Sequence, residues 1–232
     1  MYDLVIIGAT FLGLGAAKGN CLILERSEQI GYEYISCCAG SMDSSPENEL
    51  KTLILKHNIS NIHTLAPLLY SYVKEKKLPI LLSTEIIEIT RESDGFCLKL
   101  YNANGISIIK AKKIIDTTLG TAVSNNDKIK IKEKYINAII RNKEKKSNEI
   151  FSVKLEENTD WCEARQKLHT EFSKISTDNL KIAAVADCFY IKPSEKRKII
   201  SENHIIMPSC GYDNPLKAFE EGALIYDFVT KN

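Results

Sequence analysis

Gly8-Ala9-Thr10-Phe11-Leu12-Gly13 is a spacing that can do chemistry without any charged side chain. It follows an apolar, β-branched run, Tyr2 to Gly8 (YDLVIIG), and opens a small apolar stretch, Phe11 to Lys18 (FLGLGAAK). A strand that turns into a helix in this way presents unpaired backbone N–H groups, which form a seat for an anionic diphosphate. Gly8 permits the tight turn, and Gly13 permits close packing of helix on strand. Thr10 stands where glycine usually lets the backbone approach the phosphates. Its hydroxyl could contact a phosphate, or its methyl could crowd one. Glu25 follows Gly8 by 17 residues and ends a second apolar run, Cys21 to Glu25 (CLILE). A carboxylate at that place accepts hydrogen bonds from a ribose. Strand, turn, helix, strand and acid together predict a dinucleotide site. The other reading is a fold that kept its glycines for packing and lost the nucleotide.

The remaining reactive side chains are sparse. Seven cysteines occur, at 21, 37, 38, 97, 162, 188 and 210, with no CxxC pair. An odd number at irregular spacing argues against a disulfide framework and against a structural zinc site. Cys37 and Cys38 are adjacent. A disulfide between adjacent residues is strained and would be easily reduced. Two small residues packing a loop on the core is the plainer reading. The four histidines form no HExxH pair and no cluster with carboxylates, so no metal is expected. The absence of Gly-x-Ser-x-Gly and of a Walker-type loop removes hydrolase and kinase readings.

These residues need a frame. The chain has 232 residues, enough for one large domain or for one domain with a smaller insert. Thirty-one basic against 30 acidic side chains give a net charge of +1, which predicts no nucleic-acid partner. The short basic run Arg141 to Lys146 reads as a solvated hairpin loop. No apolar run approaches the ~18 residues of a membrane span, and the N-terminus lacks the basic region of a signal peptide. The expectation is a cytosolic protein away from membranes. Leu65 to Lys77 reads as an amphipathic helix, and Pro79 to Leu82 as a short strand. Glu85–Thr90, Phe96–Tyr101 and Ile106–Lys110 alternate around Asp94-Gly95 and Asn104-Gly105, which predicts an antiparallel meander. Lys113–Thr117 returns as a buried strand. Trp161–Ile175 carries helical spacing, Lys181–Ile191 reads as one strand with a kink, and Pro215 opens a last helix through Val229.

Three stretches then resemble a family, the FAD-dependent oxidoreductases of the glutathione-reductase-like, two-dinucleotide-binding type. They are YDLVIIGATFLGLGAAKGNCLILER, LPILLSTEIIEITRESDGFCLKLYNANGISIIKAKKIIDTTLG, and NHIIMPSCGYDNPLKAFEEGALIYDFV. The meander between crossovers separates this family from ordinary NAD-binding folds. The resemblance implies an α/β, Rossmann-like FAD-binding domain from 1–121 and 196–232, with a small α+β cap inserted at 122–195. It implies FAD, with Gly8, Thr10, Phe11, Leu12 and Gly13 along the pyrophosphate. Glu25 and Arg26 would meet the adenosine ribose, and Thr118 the turn near the nucleotide. Asp213, Asn214 and Pro215 would set a helix N-terminus beside the flavin, near Cys37, Cys38 and Cys210, whose thiols could then be nucleophiles or exchange electrons with the flavin. A small-molecule substrate would lie between the two units, with a homodimer or heteromeric enzyme as possible assembly. The chain departs from the family at Thr10, at Leu119 in Asp116-Thr117-Thr118-Leu119, at Pro208-Ser209-Cys210, and in a shorter first helix. The second reading is therefore a non-catalytic or partner-dependent flavoprotein-like subunit with weakened or lost FAD binding.

Overall fold

The structure is a computed structural model that describes residues 1–42, 45–120, 128–145 and 147–231, with the backbone alone at 230–231. In chain order the elements are β1 (Tyr2–Ile7), α1 (Phe11–Ala16), β2 (Cys21–Leu24), α2 (Tyr32–Ile35), α3 (Glu49–Lys56), α4 (Ala66–Lys76) and β3 (Ile80–Leu81). The meander follows as β4 (Glu85–Glu92), β5 (Gly95–Asn102) and β6 (Gly105–Asp116). Then come β7 (Ile131–Asn142), β8 (Ser147–Leu155), α5 (Trp161–Ile175), β9 (Leu180–Val185), β10 (Tyr190–Pro193), β11 (Lys198–Ser201), β12 (His204–Ile206) and α6 (Pro215–Lys231).

Two sheets carry these strands. The larger runs β11-β12-β6-β1-β2-β3, with β4 and β5 joined through β6. Strands β12, β6, β1, β2 and β3 are parallel, so both faces must be covered and the strands read as unbroken apolar runs. Ile106–Lys110 and Lys113–Thr117, expected as two strands, are one 12-residue strand. Its first part pairs antiparallel with β5 and its last part parallel with β1. Nothing between them breaks the chain, because Ala111 and Lys112 both accept extended backbone. Strands β11 and β12 add to the far side of β6, so this sheet draws on residues 2–116 and 198–206. The expected boundary at 121–122 lies outside the described residues.

The smaller sheet is antiparallel. β7 pairs with β8 on one edge and with β9 and β10, in succession, on the other. The stretch expected as one kinked strand is thus two strands that share an edge, with Ala186–Phe189 leaving the sheet between them. α5 covers one face through Ala164 and Leu168 against Ile136, Ala138, Val153 and Leu155. Asp160 caps it, and Glu163 closes the capping box.

The helix α1 is short and wholly buried. It lies against α6 with no side chain between the backbones. A Cβ on Gly15 would stand 1.9 Å from the Phe219 carbonyl oxygen, and one on Gly222 would stand 2.0 Å from that of Leu12. Gly13 has the role expected of it, since a Cβ there would meet the Gly8 carbonyl oxygen at 2.3 Å. The short helix expected within 27–50 is α2, and α3 was not evident in the sequence. Among the described residues no helix is long and apolar enough to cross a membrane.

Candidate functional site

A cavity of about 410 Å³ opens at the C-terminal ends of β1 and β2, between the turn at Gly8 and the start of β4. This is the crevice where an open α/β sheet binds ligands. Ile7, Leu24 and Ile86 form apolar walls, with Glu25, Tyr32 and Thr84 supplying polar groups. Glu25 is 3% exposed. Its Oε2 accepts the Ala9 N–H at 2.8 Å, and its Oε1 accepts the Ser27 N–H at 2.7 Å. Burial raises its pKa, against the lowering effect of those amides. A carboxylate offers about four lone-pair sites, so two amides orient the group and leave capacity for ribose hydroxyls. Arg26 lines the same cavity; its side chain is largely exposed and pairs at 2.9 Å with Glu85, which also lines it. Thr118 lines the cavity, and both its N–H and its hydroxyl donate to Asp116 Oδ1, at 2.8 and 2.6 Å. Burial pushes the Asp116 carboxyl up to about 6.

The start of α1 is arranged differently. The Phe11 N–H donates to Glu33 Oε1 at 2.8 Å, and the Leu12 N–H donates to Ser209 Oγ at 3.3 Å. The Gly13 N–H donates to Thr10 Oγ1 at 2.9 Å, which makes Thr10 the N-cap. Ser209 donates its own proton to Glu33 Oε1 at 2.7 Å. All four residues from Thr10 to Gly13 are buried beneath α2 and the segment before α6. Thr10 engages its hydroxyl within the chain. Its hydroxyl turns inward and donates to Thr117 Oγ1 at 2.7 Å, and Thr117 in turn donates to the Ile7 carbonyl at 2.8 Å.

Glu33 was not singled out by the sequence, because it is one acid in a polar, turn-rich segment with no telling spacing. It is 5% exposed, and burial pushes its pKa up to about 7. Its Oε2 has no hydrogen-bond partner among the described residues. The chain's own carboxyl thus sits on one of the amides that a diphosphate would use, that of Phe11. The residues present fit the adenosine half of FAD. At the diphosphate end the Phe11, Leu12 and Gly13 N–H groups already have acceptors within the chain, so a diphosphate there must displace Glu33.

One consequence concerns Thr10. Thr10→Val keeps the shape but removes both the cap to Gly13 and the link to Thr117. The loss should be about 2 kcal/mol, a cap plus a buried hydroxyl left unpaired. Urea unfolding measures it, and an unchanged midpoint would contradict the inward orientation.

The third group of predicted residues lies on the other side of α2. Cys37, Ala39 and Tyr190 form a small cluster with Tyr135, Cys188 and Cys210 packed on it. Cys37 faces not Cys38 but Cys188, at 2.6 Å between sulfurs, and it also donates to the Phe189 carbonyl at 3.2 Å. Cys38 has a left-handed backbone, φ 47°, and burial pushes its thiol up to about 11. Burial likewise raises Cys210, up to about 12. These thiols are held protonated, which is unfavourable for a nucleophile. Asp213 pairs with Lys192 at 3.0 Å, and both line, with Cys210, a separate cavity of about 320 Å³. Asn214 is the cap of α6: its Oδ1 accepts the N–H groups of Leu216 at 2.9 Å and Lys217 at 3.3 Å. Pro215 is buried in the first turn. The structure therefore gathers Gly8, Glu25, Arg26 and Thr118 at one cavity and Cys210 and Asp213 at another.

No family model matches this chain, and no curated protein matches it. Solved structures do share the fold. A flavoprotein/dehydrogenase from Cytophaga hutchinsonii superposes with a TM-score of 0.63 at 10% identity, over 98% of this chain and 77% of that one. A geranylgeranyl bacteriochlorophyll reductase-like protein from Thermoplasma acidophilum gives 0.64 at 9% identity, over 99% and 78%. Aklavinone-11 hydroxylase in ternary complex with FAD and aklavinone gives 0.57 at 10% identity, over 98% of this chain and 62% of that one. The fold is the Rossmann-type flavoprotein fold. None of these three is named as a glutathione reductase, so the finer subfamily read from the sequence is not what the fold singles out.

Proposed function

We propose that this chain is an FAD-dependent oxidoreductase that acts on a small molecule. One observation carries the reading: a cavity of about 410 Å³ at the ends of β1 and β2 whose buried carboxylate, Glu25, is oriented by two backbone amides and still has lone pairs to offer. Bound flavin would supply the electron chemistry. The chain's own part at this end is recognition. Glu25 would accept the ribose hydroxyls, and Ile7, Leu24 and Ile86 would shield the adenine from water. In this reading 1–121 with 196–232 form the cofactor unit, 122–195 form a cap, and the substrate lies between them.

The test is a titration of the purified protein with FAD, ADP and FMN, followed by flavin fluorescence and calorimetry. FAD and ADP should compete for one site, and FMN, which has no adenosine, should not displace them. Equal binding of FMN would sink the reading. Glu25→Ala should weaken both FAD and ADP roughly ten- to a hundredfold, the cost of about 1–3 kcal/mol for unpaired buried hydroxyls. It should also lower stability, because the Ala9 and Ser27 amides lose their acceptor.

A second reading has an observation of its own. Glu33 on the Phe11 amide favours a subunit of flavoprotein fold that holds no dinucleotide and serves a partner. Failure of the protein to bind either FAD or ADP supports it.

A further inference from the structure

We propose that Cys37 and Cys188 are a reversible thiol–disulfide pair that fastens the β9–β10 connection to the loop after α2. The proposal stands apart from any cofactor. The two sulfurs are 151 residues apart in sequence and 2.6 Å apart in space. Bonded sulfurs lie at about 2.05 Å, so the bond forms with a small adjustment of two side chains.

The backbones on either side are already tied together. The Asp187 N–H donates to the Ser36 carbonyl at 2.8 Å. The side chain of Asn137, from β7, donates through Nδ2 to the Cys37 carbonyl at 2.8 Å. The Ala186 N–H donates to the Asn137 carbonyl at 2.9 Å, which turns the chain out of the sheet edge at the point where it must reach Cys37. The departure from the sheet between β9 and β10 therefore delivers Cys188 to its partner. The other nearby thiols are placed differently. Cys38 has a left-handed backbone, φ 47°, and Cys210 packs on the edge of the same cluster.

Access sets the order of events. Cys37 is buried, and its pKa is raised, first by the hydrogen bond with Cys188 and then by burial. Cys188 is half-buried. Its thiolate attacks a low-molecular-weight disulfide, RSSR, giving Cys188–S–SR and releasing one RS⁻. Cys37 loses its proton to solvent, attacks the Cys188 sulfur and releases the second RS⁻. Two protein thiols are oxidised, RSSR is reduced to two RSH, and the two protons end on those thiols. Such an exchange follows the redox poise of the surroundings.

The experiment uses the full chain. The protein is incubated with oxidised glutathione, trapped with an alkylating agent, and mapped by mass spectrometry without reduction. The expected product joins the Cys37 and Cys188 peptides, and dithiothreitol reverses it. In Cys37→Ser, Cys188 should instead remain as a glutathione adduct. In Cys38→Ser, the cross-link should form as in the wild type, which separates the two neighbouring thiols even where Cys37→Ser folds poorly. Absence of a Cys188 cross-link in the folded wild type, or its loss in Cys38→Ser, would overturn the proposal.

Discussion

Glu33→Gln should flatten the pH dependence of stability between pH 5 and pH 8, and the wild type should lose roughly 2–3 kcal/mol more than the variant across that interval. The folded-state pKa of Glu33 is about 7, against 4.5 for the free group. Between those values the folded chain holds a proton that the unfolded chain has released. Stability therefore falls as pH rises from the unfolded value toward the folded one, and the loss is complete above it. Glutamine has no proton to lose. Asp116, raised to about 6 by its own burial, titrates in both proteins and cancels in the comparison. Urea unfolding at the two pH values reads the difference, and parallel curves would refute the buried acid. The same group bears on the cofactor. A diphosphate brought to the Phe11 amide meets a neutral carboxyl at pH 6 and an anion at pH 8. If FAD binds, wild-type affinity should drop at least about tenfold between those values, and Glu33→Gln should bind equally at both. A pH-independent wild type would place the diphosphate elsewhere.

Gly222→Ala should cost about 3 kcal/mol or more and lower Tm by roughly 6–12 °C. The new Cβ would stand 2.0 Å from the Leu12 carbonyl oxygen and 2.9 Å from the Ala16 nitrogen. Both are backbone atoms of a buried helix that carries the whole turn from Gly8 to Gly13. They cannot rotate aside, so α6 must lift off α1. A glycine in a helix ordinarily gains stability on becoming alanine, which makes the sign of the effect the informative part. Leu224→Ala, two residues further along α6 and 59% exposed, should stay within about 0.5 kcal/mol. Thermal unfolding of both variants tests the contact, and a stabilised Gly222→Ala would disprove it. The helix contact and the buried Glu33 belong to one structure, since α1 is pressed by α6 on one side and capped by Glu33 and Ser209 at its start.

Much of this frame was legible in the residues themselves. The apolar runs of β1 and β2, the glycines at 8 and 13, and the alternating meander are local patterns, and local sterics and burial fix what they become. Asn214 and Asp160 are caps for the same reason: a short side chain reaches an amide two or three residues away. Glu25 was legible because its position at the end of β2 follows from the strand. Long-range facts were not. Thr10 has a partner, Thr117, that lies 107 residues on, and only the closing of β6 beside β1 decides that its hydroxyl turns inward. Glu33 reaches the start of α1 because α2 folds back over it, and no spacing in residues 27–50 encodes that approach. Cys37 and Cys38 are neighbours in the chain, yet Cys37 meets Cys188. That partner is set by where the β7 edge releases the chain. A sequence specifies its near neighbours through backbone geometry. Contacts across a hundred residues follow from how two sheets pack, and there the tertiary structure alone decides which side chain fills the seat at the helix.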